Sequence, residues 1–272
     1  MRTLLAVDGV SLTHSDDLFC LRMDRGQNVI NPDMVSALDQ ALAQVEEAEH
    51  PKSLVILGGP KFFSNGLDVC RSAARTCRAA LGGGHLLLTY SGPACGQVTW
   101  MMNNSSATPA MIESFWRLLA RLLVLDCRSV AAISGHAFGA GIFLALACDW
   151  RIMRTERGFA NFPELNLGMR LSKAFAELSK AKLSPAALRE GVLTGRRYDS
   201  TAALAAGLVD AECPMEALPA EAEKLARSGL ASALKLLRFD PEAFATMKKE
   251  LYTDAYRALS TGSYVSAPES RL

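Results

Sequence analysis

The chain has 272 residues, 50% of them hydrophobic and 21% charged, with a formal net charge of +1 at pH 7. That length holds one large α/β domain, or one domain with a helical appendage, around a substantial core. The near-neutral charge gives no electrostatic footprint for nucleic acid or an anionic membrane surface, and seven cysteines without a Cys-x-x-Cys pair plus four scattered histidines support neither a disulfide framework nor a metal site.

Leu4 to Val7 is too short for a secretory core, Asp8 interrupts it, and no other apolar stretch has the length and flanks of a membrane span. Phe19, Leu21 and Met23 alternate with Cys20 and Arg22, the period of a two-faced strand for which Leu4 to Val7 is a partner. Asn31 caps a helix with Pro32 at its first position, and Met34, Leu38, Ala41, Leu42 and Val45 share one face until His50-Pro51 ends it. Ser53 to Leu57, short and uncharged, reads as a strand buried on both faces. A turn follows, Gly58-Gly59-Pro60-Lys61-Phe62-Phe63-Ser64-Asn65-Gly66-Leu67-Asp68.

Cys70 to Thr108 contains Gly82-Gly83-Gly84, Ser91-Gly92-Pro93 and Asn103-Asn104-Ser105-Ser106, punctuation that favours loops. Ile112, Phe115, Trp116, Leu119, Leu122 and Leu123 then keep helical spacing. Ser129 to Ser134 is a second buried strand, closed by Gly135. His136-Ala137-Phe138-Gly139-Ala140-Gly141 leads into Ile142 to Cys148, a helix apolar on every side and therefore buried. A glycine turn entering a helix presents unpaired N–H groups at the positive end of the helix dipole, an arrangement suited to a developing oxyanion. After a further apolar run from Trp150 to Met153, the chain reaches Asn161-Phe162-Pro163-Glu164-Leu165-Asn166-Leu167-Gly168. Glu164 is the only acid between Arg157 and Glu177, a candidate base among apolar neighbours. Beyond Gly168 the pattern is mainly helical: Leu171 to Leu183, Pro185 to Thr194 with Gly195 as its stop, and a last helix opened by Asp240-Pro241-Glu242. In that helix Phe244, Met247, Leu251, Ala255 and Leu259 form one stripe.

The Gly58 to Asp68 turn resembles the first signature of the crotonase, or enoyl-CoA hydratase/isomerase, superfamily, and Ala131 to Asp149 resembles the second in the expected order and spacing. The resemblance continues through Phe162-Pro163-Glu164, Leu193 to Tyr198 and Ala206 to Asp210. It implies an α/β fold, a crotonase-like spiral of repeated ββα units over residues 1–195 with an extended segment at 70–108. A C-terminal helical region over 196–272 would serve packing and oligomerisation. In the family the segment corresponding to 70–108 lies beside the acyl pocket, so here it is either a lid or specificity loop or a surface insertion.

The resemblance also implies site roles. The backbone N–H groups of Leu67 and Ala140 would hold the thioester oxygen, Glu164 would be the catalytic residue, and Lys61, Phe63, Ser64, Asn65, Gly66, Gly139 and Phe143 would line the substrate. Asp68 reads as a loop brace and His136 as a structural residue. Hydratases of the family hold the attacking water between two glutamates. The first corresponds here to Phe143, which exchanges no proton, and the second to Glu164. One glutamate beside an oxyanion site fits a double-bond shift, so the pattern is most similar to the Δ3,Δ2-enoyl-CoA isomerases of fatty acid β-oxidation. Acyl-CoA is then the substrate, with no metal and no cofactor. Hydration with a substitute acid such as Glu113, or a catalytically silent acyl-CoA-binding fold, are the alternatives. A homotrimer or hexamer is implied. The ending Ser270-Arg271-Leu272 is similar to the Ser-Lys-Leu address read by the peroxisomal import receptor, which places the protein in the peroxisome or a related organelle.

Overall fold

The computed structural model describes residues 2–68, 104, 106–230, 233–235 and 239–264. The readings for the 70–108 segment, apart from residues 104 and 106–108, and for Ser270-Arg271-Leu272 lie outside the described residues.

The two uncharged runs form the middle of the larger sheet. Ser53–Leu57 (β4) is buried throughout, and Arg128–Ile133 (β6) is buried from Ser129 onward. They pair in parallel, Ser53 with Arg128 through Leu57 with Ala132. Their side chains alternate between two apolar clusters. Leu54, Ile56, Ala131 and Ile133 enter the main core on one face, and Val55, Leu57, Val130 and Ala132 enter a smaller cluster on the other. Because both faces are buried, the strands read as apolar runs rather than as alternation.

Around this pair Arg2–Val7 (β1), Val10–Ser15 (β2), Leu18–Met23 (β3), Trp150–Arg154 (β8) and Ala211–Cys213 (β11) complete a 7-stranded sheet of order β1-β2-β3-β4-β6-β8-β11. Phe62–Ser64 (β5), His136–Phe138 (β7), Ala160–Asn161 (β9) and Arg197–Tyr198 (β10) form a 4-stranded sheet of order β10-β9-β7-β5. A long strand, a short strand and a helix recur in that order. β4 and β5 precede Thr108–Leu123 (α2), β6 and β7 precede Ala140–Ala147 (α3), and β8 and β9 precede Glu164–Leu167 (α4). This is the repeated ββα organisation.

Three details depart from the sequence reading. The expected partnership of Leu4 to Val7 with the Phe19 strand is interrupted by β2, which pairs antiparallel with both neighbours. The missed signal is Asp8-Gly9, both at positive φ (49° and 72°), a two-residue hairpin turn that brings β2 back along β1. The boundary at 195 does not close the sheets, since β10 and β11 lie beyond it and add an edge strand to each. The last helix is two helices, Pro241–Leu251 (α9) and Thr253–Thr261 (α10).

The proposed apolar stripe is broken with them. Ala255 and Leu259 of α10 are buried, but Met247 and Leu251 of α9 face outward, and the buried residue of α9 is Lys248. Lys248 Nζ donates to Leu125 O (2.8 Å), Cys127 O (2.9 Å) and Asp149 Oδ2 (2.7 Å). That carboxylate oxygen also accepts from the N–H and Oγ of Ser129 at the start of β6. Every donor of the ammonium group is used, which is what makes a buried cation tolerable.

The helix Pro32–Glu47 (α1) follows the reading closely. Asn31 Oδ1 accepts the Met34 N–H at 2.9 Å, and Met34, Leu38, Ala41, Leu42 and Val45 are buried together with Val35 and Ala37. The helix ends at Glu47, three residues before His50. Leu218–Arg227 (α8) covers the opposite face of the large sheet with Leu218, Ala222 and Ala226.

Lys248→Met is expected to cost about 3–5 kcal/mol in urea unfolding, because Asp149 keeps its charge and loses its counter-ion. The double variant Lys248→Met/Asp149→Asn should recover part of that loss. A neutral single variant would show that the pair contributes nothing to stability.

Candidate active site

Buried polar side chains shape the loops that leave the short strands. Asn28, wholly buried and at positive φ (48°), donates Nδ2 hydrogens to Met23 O, Phe62 O and Phe63 O at 3.1–3.2 Å, and its Oδ1 accepts the Arg25 N–H at 2.7 Å. Ser64 Oγ donates to Asn28 O at 2.7 Å and accepts the Gly66 N–H at 3.2 Å. Asn65 bonds Gln27 through both its N–H (2.9 Å) and its side chain (2.7 Å). The sequence reading missed Asn28. Its only sequence trace is Gly26-Gln27-Asn28 between a strand and a helix cap, where asparagine is one of the few residues that tolerate left-handed backbone.

The loop then reaches Leu67, which forms an isolated parallel bridge with Ile30. The bridge uses the Ile30 N–H to Gly66 O (2.8 Å) and the Asp68 N–H to Ile30 O (3.1 Å). The Leu67 N–H therefore points the other way, and no acceptor faces it among the described residues. Asp68 braces the loop through its main chain.

The second loop starts at Gly139, at positive φ (49°), whose N–H donates to Asn161 O at 3.1 Å. Ala140 opens α3 without a side-chain cap, so its N–H has no acceptor among the described residues. The two loops touch. A methyl group at Gly66 would sit 2.7 Å from Phe138 O and 3.4 Å from Ala140 N, and one at Gly141 would sit 2.5 Å from Ser64 O. Glycine is needed at both positions because backbone meets backbone.

Glu164 lies beside this contact. A methyl group at Gly139 would be 3.6 Å from Pro163 Cγ and 4.0 Å from Glu164 Oε1. Glu164 Oε2 is buried and has no hydrogen-bond partner among the described residues. Burial pushes the carboxyl group above its ordinary value, and a hydrogen bond from its own N–H opposes the shift. Phe143 is fully buried, stacked face to face on Phe175 (centroids 4.0 Å, planes 4° apart) and tilted against Phe162 at 5.6 Å. Leu165, expected to help form the apolar setting, is 55% exposed: the short helix turns it outward, and Phe162 remains as the apolar neighbour in the chain.

The remaining candidates divide. Phe63 is fully buried in the main core and Ser64 holds the loop, whereas Lys61 is exposed with Nζ 5.4 Å from the Phe62 ring. His136 packs among Phe62, Phe138 and Phe159. Burial, then Arg157, Arg197 and Lys61, lower its proton affinity. Glu113 pairs with Arg117 (3.2 Å) and accepts the Tyr264 N–H (3.0 Å), so it is engaged on α2 rather than free to replace a missing acid. Among the described residues no cluster of three or more His, Cys, Asp or Glu could hold a metal ion, and no helix is long and apolar enough to cross a membrane.

Comparison with known proteins meets this geometry. The family model described as enoyl-CoA hydratase/isomerase matches residues 94–268. The chain is 30% identical to enoyl-CoA delta isomerase 3 of Arabidopsis thaliana over 250 residues, covering 91% of this chain and 93% of that protein. It is 29% identical to peroxisomal enoyl-CoA delta isomerase 2 of the same plant over 247 residues, covering 90% and 92%. Among solved structures, an enoyl-CoA hydratase from Mycobacterium ulcerans superposes with a TM-score of 0.72 at 26% identity, covering 93% of this chain and 96% of that one. Matching sequence, matching fold and paired glycine loops lead to one conclusion: the chain belongs to the enoyl-CoA hydratase/isomerase family, the crotonase superfamily, and within it is close to enoyl-CoA isomerases.

Proposed function

We propose that the protein is a Δ3,Δ2-enoyl-CoA isomerase. The observation that carries the reading is one carboxylate, Glu164, whose buried Oε2 has no hydrogen-bond partner among the described residues, beside a loop contact that leaves two main-chain N–H groups open. In this mechanism Leu67 and Ala140 donate to the thioester oxygen while Glu164 removes a proton from C2. The electrons move into a dienolate, and the same carboxyl group returns the proton to C4, so that the double bond passes from C3–C4 to C2–C3. Proton and charge balance without any cofactor beyond the acyl-CoA substrate. Two donors aimed at the developing oxyanion are worth several kcal/mol of barrier, roughly 10²-fold or more for each.

The raised proton affinity of Glu164 serves the base role, since a desolvated carboxylate is the stronger base. Phe143 supports isomerisation over hydration. It fills its site with a stacked ring and supplies no second carboxylate to hold an attacking water. The Arabidopsis relatives point the same way by name, while the mycobacterial hydratase keeps water addition as the competing activity to be measured. Gly66, Gly139 and Asn65 would contact the substrate through the loops they form, and exposed Lys61 would meet the CoA phosphates.

Pure protein is expected to convert 3-hexenoyl-CoA to the 2-enoyl product and to leave 2-enoyl-CoA unhydrated; hydration of the latter would reverse the assignment. Glu164→Gln should still bind acyl-CoA and lose turnover by about 10²–10⁴-fold. In the wild type, kcat/KM should fall as pH drops, because protonation removes the base. The midpoint of that acid limb should lie above the ordinary glutamate range, since burial raises the group. An acid limb at or below that range would exclude Glu164 as the titrating base.

Assembly and location follow as further parts of the proposal. A trimer or hexamer is expected by light scattering at micromolar concentration, and a monomer would count against it. Deleting Ser270-Arg271-Leu272 should leave activity intact and move the protein from peroxisomes to the cytosol by fluorescence microscopy. The supports are the tail's similarity to a receptor-read address and the peroxisomal names of two plant relatives. Unchanged targeting after the deletion would remove the localisation.

A further inference from the structure

We infer that Asn161 is the positioning residue that sets Glu164 against the Gly139–Ala140 turn, an inference that rests on the isomerase reading above. Asn161 occupies the middle of the small sheet, opposite Phe138 of β7 on one side and Arg197 of β10 on the other. Its carbonyl accepts the Gly139 N–H at 3.1 Å, so it holds the residue that precedes the Ala140 donor. The residue is 4% exposed, and its side chain spends both amide hydrogens on consecutive carbonyls, Gly195 O at 2.8 Å and Arg196 O at 2.9 Å. Gly195, at positive φ (61°), terminates the helix Pro185–Thr194 (α6).

The same Gly195 carbonyl accepts Asn166 Nδ2 at 3.2 Å. Asn161 and Asn166 bracket Glu164 in sequence, and both are anchored to one carbonyl. The segment that carries the base is thereby fixed at each end to the α6 turn, while its first residue is bonded to the glycine turn. Asn161 is the residue common to both attachments.

The chemistry requires an amide. Two carbonyl oxygens within 3 Å call for two donors on one planar group. Serine supplies one donor and alanine none. Aspartate sets lone pairs against both carbonyls and brings a second negative charge toward Glu164, which disfavours the ionised base. Misplacement of a reacting group by about 1 Å costs on the order of 10²-fold in rate, so release of the segment should appear in turnover before it appears in binding.

The test compares Asn161→Ala, Asn161→Ser and Asn161→Asp with Glu164→Gln, using 3-hexenoyl-CoA and checking the fold of each by circular dichroism. The expected result is a fall in kcat of about 10–100-fold for alanine with KM within about threefold, and a smaller fall for serine. For aspartate the acid limb of the kcat profile should also move to higher pH. Serine keeps one donor, so it reports the effect even if alanine does not fold. A merely structural role would lower the melting temperature while leaving kcat per folded molecule and the acid limb at their wild-type values, and that outcome overturns the inference. Inactive Glu164→Gln with fully active Asn161 variants would overturn it alone. Active Glu164→Gln would overturn the base assignment and this inference with it.

Discussion

Two main-chain segments approach so closely that no side chain fits between them, and the rest of the site depends on that approach. β5 and β7 are parallel neighbours, and the loops leaving them meet where Gly66 faces Phe138 O and Gly141 faces Ser64 O. Parallel pairing sends both chains in one direction, so both loops emerge at the same end of the small sheet. The outward N–H groups of Leu67 and Ala140 follow from this, one as the unused side of a bridge and the other as the first position of a helix. Neither depends on the identity of its side chain. What the geometry requires is the absence of Cβ atoms at the neighbouring glycines.

Glu164 obeys a different logic. Its contribution lies in the side chain, and its environment is defined by what is withheld from it. No cation is paired with it among the described residues, while Arg157, Arg197 and Lys61 gather around His136, a short strand away. A carboxylate paired with arginine would be a weaker base. The aromatic row of Phe162, Phe143 and Phe175 continues the dry side of the site into the core, with ring separations of 5.6 and 4.0 Å. Two outward main-chain N–H groups and one poorly solvated carboxylate are thus built from separate parts of the repeat and brought together by its winding.

What could be read from the sequence follows the range over which each signal acts. The α1 cap at Asn31, the buried strands β4 and β6 and the helix α3 are encoded in a few adjacent residues, and each lies where the pattern puts it. Short strands of two or three residues, such as β9 and β10, carry no periodicity and were invisible. The burial of Lys248 leaves no trace in the sequence, because nothing local announces that Asp149, Leu125 and Cys127 will meet it. The glycines and the lone acid of the candidate site stand out in the sequence. The buried amides that hold those parts, Asn28 and Asn161, do not, because an asparagine's partners in a folded chain are set by tertiary approach.

The Lys248–Asp149 pair joins residues 99 positions apart, at the sheet end where β6 begins and β8 is about to start. During synthesis the central strands are therefore complete long before their counter-ion exists. Asp149 Oδ2 is shared by the Ser129 N–H and Oγ and by the Lys248 ammonium group, so α9 supplies the cation bonded to it among the described residues. The entropic cost of closing a loop of that length grows only slowly with the number of residues in it. The start of β6 is thus tied to α9 as well as to its neighbouring strands.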